Sequence, residues 1–581
     1  MASRLQALKV KPPRLGLRRR GVERREPARA EIDFGDRPAY LEDYIKRAGE
    51  ELGEEPELVE KPSPDLKRAK HFNVIYPVGG GVFIHAYTPK DPNEPFNIYA
   101  VVEPPRPSPE LLRLMDEALA YAITEEHTPR SAEEKKAILL SLIDEIVVPV
   151  DEAPDYRGLL ASGRAPKRIP VKRDEVDYLK YHLVRDKVGV GVLEPFLRDP
   201  YLEDITCNGV GPIYVVHKIF GNMKSTAGFK TDEELDDFII RLGEKIGKPI
   251  SHARPVVDAT LPDGSRINIV YGRDVSLHGS NFTIRRVAKI PISVTQLIAW
   301  GTFDERIAAY MWMMLREGMS VFICGETASG KTTSMNAIAA FIKPTAKIVT
   351  IEDTAEVVLP HPNWTRELTR DTGRPETSVT MFDLLRAALR QRPNYIIVGE
   401  IRGAEGNIAF QAMQTGHPVM ATFHAADLTR LVQRLTNPPI SVPKTNLDSL
   451  NIAWFQSAVY TKTGLLARRV ITVNEIIGYD PASDGIAAIP VFTWDPVNDR
   501  FLFAGRGSSY LLEEKIATMR GISKRDVKII YDELEVRAAY LRELVRQKVF
   551  EYPKVFKAIV TADRLGVEEA LRRLRSGQLS F

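Results

Sequence analysis

Apolar and polar positions divide the chain into blocks of different texture. Residues 1–65 are charged and broken by prolines, with one short helix expected over Ala39–Leu52. From His71 to Val102, three short runs read as strands separated by glycine and proline turns: Phe72-Asn-Val-Ile-Tyr76, Gly81-Val-Phe-Ile-His85 and Phe96-Asn-Ile-Tyr-Ala-Val-Val102. Helical spacing follows over Pro109–Thr124, where Leu111, Leu112, Met115 and Leu119 share a face, and over Ala132–Val147. Pro154–Pro170 reads as a linker. A second mixed block carries helices over Val176–Lys187 and Asp232–Ile246, with strands near Asp204–Cys207 and Ile213–His217 and an arginine-rich end. From Pro291 to Gly505 apolar strands alternate with helices, the pattern of an α/β core. Ser509–Phe581 is amphipathic helix with a break at Gly521-Ile-Ser523, where Ser523 is the expected N-cap. The expected domains are a basic, proline-rich arm (1–65), a small mixed domain with its linker (66–170), a mixed α+β domain (171–290), the α/β core (291–508) and a short helical C-terminal segment (509–581).

Composition narrows the class. The chain has 581 residues, 44% hydrophobic and 27% charged, which is ordinary globular usage. No run approaches the ~18 apolar residues of a membrane helix. The N-terminus lacks the apolar stretch of a signal peptide. Cys207 and Cys324 are too few for a disulfide framework or a four-cysteine zinc site, so a reducing cytoplasm is the expected location. Residues 1–30 carry ten Lys/Arg against Glu23 and Glu26, a local +8. The remaining residues hold 70 basic and 75 acidic side chains, a net −5. The arm is suited to an anionic membrane face or an acidic partner, with a solvated tail as the plainer reading. The mildly acidic body argues against specific nucleic-acid binding.

The sharpest chemical signal is Gly325-Glu326-Thr327-Ala328-Ser329-Gly330-Lys331-Thr332-Thr333, which fits G-x-x-x-x-G-K-[ST]. The glycines permit a tight turn whose N–H groups cradle phosphate at a helix N-terminus. Lys331 is placed to neutralise the β/γ phosphates of ATP, and the Thr332 hydroxyl to bind Mg2+. Val321–Cys324 reads as a buried strand before the loop, and Thr332–Ile342 as the helix after it.

Three further apolar strands end in polar residues. Lys347–Ile351 leads to Glu352 and Asp353, with Glu356 close behind; Tyr395–Val398 leads to Gly399, Glu400 and Arg402; Val419–Phe423 leads to His424. In doubly wound sheets ligands bind beyond such strand ends. Glu352 and Glu400 are candidates for polarising the attacking water and for the outer shell of Mg2+, and either could be the base. His424 is a candidate neutral donor to the γ-phosphate. Glu356 with Asp353 reads equally as a helix-entry pair. Arg266, Arg285 and Arg286 lie at strand or turn edges, where a guanidinium can reach transition-state charge or merely face solvent.

Together these segments resemble the secretion ATPase superfamily of type II and type IV secretion, type IV pili and the archaellum. The resemblance runs from about Val176 to Gly505. Gly325–Thr333 resembles its Walker A loop, Thr350–Glu356 its aspartate box, Ile396–Gly403 its Walker B, and Thr415–Ala425 its histidine box. Leu261–Arg266 and Thr283–Arg286 resemble the segments that offer arginines to ATP. The resemblance implies a RecA-like ATPase domain preceded by a PAS-like α+β domain, assembled as a homo-hexamer. It also implies a cytoplasmic motor, peripheral at the inner face of the membrane, that hydrolyses ATP and acts on a polytopic membrane platform protein. Leu359–Trp364, Leu389–Tyr395 and Leu435–Pro439 are most similar to the archaeal branch, whose substrates are archaellins or pilins.

Two features depart from the pattern. The chain lacks the four-cysteine module of many bacterial members, and Asn394 stands where many relatives have an acidic residue. Two alternatives stay open: a RecA-like nucleic-acid translocase, disfavoured by the acidic body, and a nucleotide-gated scaffold with little turnover, disfavoured by the two glutamates. A GTPase is not expected, because no N-K-x-D base-reading motif is present.

Overall fold

The computed structural model describes residues 37–63, 65–66, 69–123, 129, 131–152, 154–161, 168–287, 290–370, 374–462, 464, 466–482 and 484–581. The ten cations of the basic arm, and the membrane contact expected of them, lie outside these residues. The chain is mixed α/β and forms two compact units. One comprises the described residues up to Asp258 together with Ile267–Arg285, and the other Ala259–Arg266 with Arg286–Phe581. Among the described residues, no helix is long and apolar enough to cross a membrane.

The first unit is built on a ten-stranded sheet. Its order is Glu57–Leu58, Asn73–Gly79, Val82–Tyr87, Asn97–Val102, Gly221–Phe229, Gly211–His217, Leu202–Cys207, Asn281–Arg285, Arg266–Val270 and Val256–Thr260. Asn97–Val102 pairs in parallel with Gly221–Phe229, so strands from residues 73–102 and 202–285 share one sheet. The first stretch is also tied to the turn just before Leu202–Cys207 by a buried network in which the Tyr76 and Tyr99 hydroxyls donate to Asp199 Oδ2 at 2.7 and 2.9 Å. Burying that carboxylate is tolerable only because it is hydrogen-bonded. Helices Pro109–Ala122, Ala132–Ile146 and Val176–Lys187 make a separate core around Leu111, Met115, Ile143 and Leu179.

The second unit carries a nine-stranded sheet. Its order is Trp364–Leu368, Ile348–Glu352, Tyr395–Ile401, Val419–Phe423, Val321–Cys324, Ile452–Tyr460, Leu466–Asp480, Gly485–Asp495 and Arg500–Phe503. The first six run parallel. Both faces are covered along the inner strands, which is why Ile348–Ile351, Tyr395–Val398, Val419–Phe423 and Val321–Cys324 read as nearly unbroken apolar runs, whereas the edge strand Trp364–Leu368 is mixed. Val321 and Ile323 point into one core, Phe322 and Cys324 into the other, as the two-residue strand period requires.

Three expectations are corrected here. Residues 452–503 do not continue the strand–helix alternation: Ile452–Tyr460, Leu466–Asp480, Gly485–Asp495 and Arg500–Phe503 form an antiparallel meander. The helix after the phosphate loop spans Lys331–Ala339 and stops short of Ile342. Ser523 does not cap a helix: its hydroxyl bonds Asp526 Oδ2 at 2.6 Å, and the next helix, Lys528–Arg546, begins after Val527. The helices Lys528–Arg546, Tyr552–Leu565 and Val567–Arg575 pack into the same core as the phosphate-loop helix, through Leu541, Leu544, Ile559 and Leu574.

Candidate active site

Val321–Cys324 delivers the chain into the loop Gly325–Gly330, and Lys331 opens the helix that follows. Gly330 has φ +90°, a left-handed conformation that glycine adopts without cost. A Cβ on Gly325 would lie 2.2 Å from the carbonyl oxygen of Gln456, so only glycine fits there. Ala328 is also left-handed, at φ +61°. The loop is closed internally: Ser329 Oγ donates to the Glu326 carbonyl at 2.8 Å, and Lys331 Nζ donates to the carbonyls of Gly325 and Glu326 at 3.0 and 2.8 Å. Thr332 and Thr333 lie in the first helical turn, with Thr327 at the loop's outer bend. Burial pushes the Lys331 ammonium below its ordinary value, and the Glu400 carboxylate opposes that shift.

Glu400 and His424 stand at the ends of the adjacent strands Tyr395–Ile401 and Val419–Phe423. His424 Nε2 lies 2.8 Å from Glu400 Oε1. Arg402 pairs with Glu400 Oε2, and Arg434 donates to the His424 carbonyl. Burial, then the positive charge of Lys331, hold the His424 imidazole below its ordinary value, with Glu400 pulling the other way. Burial and Lys331 thus bias His424 toward the neutral imidazole.

The two glutamates sit in different surroundings. Glu352 is buried on Ile348–Glu352, where its Oε1 accepts the backbone N–H groups of Glu356 and Val357, both at 2.7 Å. Its Oε2 lies 3.5 Å from Arg366 Nε. Burial is the main cause that raises its carboxyl above the ordinary value. Glu352 thus holds the turn that follows its own strand, whereas Glu400 is mostly buried, with its side chain 19% exposed, and faces His424. Asp353 accepts from the Thr369 hydroxyl at 3.0 Å.

The three arginines are all held by carboxylates, at different places. Arg266 Nη2 lies 3.2 Å from Glu356 Oε1 within the second unit. Arg286 lies 3.7 Å from Asp263 in the same unit. Arg285 belongs to the first unit, where it faces Asp204 at 3.5 Å. The structure thus brings Arg266 to the loop after Glu352 and leaves Arg285 with the first sheet.

Oxygen donors suit Mg2+, and the site offers the Thr332 hydroxyl and the Glu400 carboxylate. Among the described residues, no group of three His, Cys, Asp or Glu could hold a metal.

Sequence reasoning missed Gln456 and Asn336. Gln456 Nε2 donates to the Ser329 carbonyl at 2.7 Å, and its Oε1 accepts from Ser334 Oγ at 2.7 Å. Asn336 ties the phosphate-loop helix to the turn after Glu352, donating to the Glu356 carbonyl at 3.0 Å and accepting from Val358 N at 3.1 Å. Gln456 follows the apolar run Ile452–Phe455, the same kind of strand end that drew attention to Glu352, Glu400 and His424. Asn394 also finds a place: its side chain accepts from Lys347 N at 2.8 Å, pinning the start of two adjacent strands.

A family model described as Type II/IV secretion system protein matches residues 186–453. An uncharacterized protein of Methanocaldococcus jannaschii is 47% identical over 539 residues, covering 92% of this chain and 96% of that protein. Protein VirB11 of Agrobacterium tumefaciens is 27% identical over 266 residues, covering 41% of this chain and 77% of that protein. Among solved structures, the Legionella pneumophila ATPase DotB matches 59% of this chain and 94% of its own at 21% identity, with a TM-score of 0.37.

Proposed function

Because the chain belongs to the type II/IV secretion ATPase superfamily, we propose that it is a hexameric motor that hydrolyses ATP to drive assembly of a pilus-like filament or secretion. The observation that carries this reading is the meeting of the Gly325–Gly330 loop, Lys331, Glu400 and His424 at the ends of three adjacent parallel strands. That order, with helices on both faces, favours a RecA-like ATPase domain. Loop amides and Lys331 bind the β and γ phosphates, while the Thr332 hydroxyl and the Glu400 carboxylate would hold Mg2+, which would supply charge neutralisation on the phosphates.

Glu400 polarises the attacking water, because its carboxylate faces the loop and is not committed to backbone N–H groups as that of Glu352 is. His424, when neutral, has one N–H to give: it faces Glu400 Oε1 in this structure and turns to the γ-phosphate when ATP is bound. Arg266 supplies charge beside Glu356, and Arg286, in the same unit, adds a second cation. The partner is a polytopic membrane platform protein, met at the inner face of the membrane.

Mg-ATP hydrolysis measured against protein concentration, for wild type and Lys331→Ala, tests this reading. Specific activity that rises with concentration and vanishes in the variant is expected of sites completed by ring assembly. Wild-type turnover by Lys331→Ala would overturn the site assignment. Stimulation by DNA would favour a nucleic-acid translocase instead.

A further inference from the structure

We propose that Gln456 is a positioning residue for the phosphate loop, holding it in the form that binds nucleotide; this rests on the ATP-site reading above. Ile452–Tyr460 runs parallel to the strand that enters the loop, and their register continues to the pair Cys324 and Phe455. One residue further, at Gln456, the pairing of Ile452–Tyr460 with Leu466–Asp480 shifts. Such an irregularity re-aims a side chain. Here it sends a buried amide under the loop.

Two polar contacts of that amide have a fixed direction and so orient it. The indole N–H of Trp454 can only donate, and it meets Oε1 at 3.1 Å. The Ser329 carbonyl can only accept, and it meets Nε2 at 2.7 Å. Ser334 Oγ, in the helix that follows, fills the second acceptor position on Oε1 at 2.7 Å. The amide therefore cannot flip without losing bonds at both ends. It ties the last turn of the loop to the first turns of the helix.

The consequence for the loop follows from peptide geometry. In a planar trans peptide the C=O and the next N–H point in opposite directions. Drawing the Ser329 carbonyl toward Gln456 turns the Gly330 N–H the other way, to the side from which Gln456 does not approach. The backbone of Gln456 also sits against Gly325, and its Nε2 would lie 2.9 Å from a Cβ on Gly330. One residue thus contacts both glycine ends of the loop and fixes the peptide between them. A loop ordered before the nucleotide arrives gives up less entropy on binding.

The test compares ATP affinity, KM, kcat and thermal unfolding for the full chain as wild type, Gln456→Met and Lys331→Ala. Gln456→Met keeps the volume and removes the hydrogen bonds. It is expected to weaken ATP binding and raise KM about tenfold, the size of one or two net hydrogen bonds, with kcat moving by less. If Gln456→Met lowers the unfolding temperature but binds ATP like wild type while Lys331→Ala does not, Gln456 is structural only and the inference falls. If Lys331→Ala itself binds like wild type, the ATP-site reading falls and takes the inference with it. Should Gln456→Met fail to fold, Gln456→Glu, read over a pH series that takes its carboxyl from protonated to ionised, decides the same question: the ionised form keeps both accepted bonds and has no proton to donate to Ser329. Wild-type ATP affinity in that ionised form overturns the inference, and weakened affinity supports it.

Discussion

His424 Nε2 stands 2.8 Å from Glu400 Oε1, across the ends of two adjacent parallel strands. An imidazole that near a carboxylate would ordinarily gain a proton. Burial and Lys331 outweigh that pull and hold His424 below its ordinary value of 6.5. The folded protein therefore binds this proton less readily than the unfolded chain. Stability from the group is present above pH 6.5 and is lost as the pH falls toward the lowered value.

That balance is directly measurable. The His424 ring resonance, assigned by comparison with His424→Gln, is expected to titrate with a midpoint below 6.5. In Glu400→Gln the carboxylate that favours the proton is gone, so the midpoint moves lower still. A midpoint that rises in Glu400→Gln would show that the two groups do not interact as the distance implies.

The two glutamates separate in a paired experiment. Glu400→Gln is expected to bind ATP with near wild-type affinity and to lose turnover by about 10²- to 10⁴-fold, the usual cost of a missing general base. Glu352→Gln keeps an oxygen that accepts the N–H groups of Glu356 and Val357, and retains turnover within about tenfold. Glu352→Ala leaves both N–H groups buried without their acceptor and lowers stability by about 1–3 kcal/mol. Turnover rates and thermal melts of the three variants check this. A dead Glu352→Gln beside an active Glu400→Gln would reverse the assignment.

Much of this region is legible in the sequence for a physical reason. A parallel sheet covered on both faces needs unbroken apolar strands, so Glu352, Glu400 and His424 stand out where those runs stop. The same rule applied to Ile452–Phe455 reaches Gln456, but a neutral amide draws less attention than a charge. The carboxylates that hold the arginines were not legible: Glu356 lies ninety residues beyond Arg266 in the chain, and no local pattern records that pairing. The meander of residues 452–503 is hard to read from sequence because register shifts at Phe455/Gln456, Val473/Asn474 and Ile476/Gly478 break the two-residue period of its strands. Ser523 has the right residue type for an N-cap, but its hydroxyl is used by Asp526 inside a longer turn.

The C-terminal helices should behave as part of the nucleotide-binding unit. Tyr552 donates to the Asn336 carbonyl at 2.8 Å, and Leu541 and Leu544 are fully buried in the core shared with the phosphate-loop helix. Leu544→Ala is expected to cost about 2–5 kcal/mol, and Tyr552→Phe about 0.5–1.5 kcal/mol. Calorimetric and circular-dichroism melts of the full chain are expected to show ATP raising the transition to which these residues belong. A variant that melts early in the C-terminal helices while ATP protection stays at its wild-type level would mean the segment is an appendage.

Arg266 offers the clearest division between a site built by one subunit and a site shared by two. Its guanidinium lies 3.2 Å from Glu356, which belongs to the turn held by Glu352 in the same chain. That pairing favours action on the nucleotide of its own subunit. Arg266→Ala is expected to lower turnover by about 10³-fold if it neutralises transition-state charge. Mixing Arg266→Ala with Lys331→Ala then restores nothing, because each subunit's site still lacks one member. Recovered hydrolysis in the mixture would place Arg266 at a neighbour's site, and would make its bond to Glu356 the contact it leaves when the ring assembles.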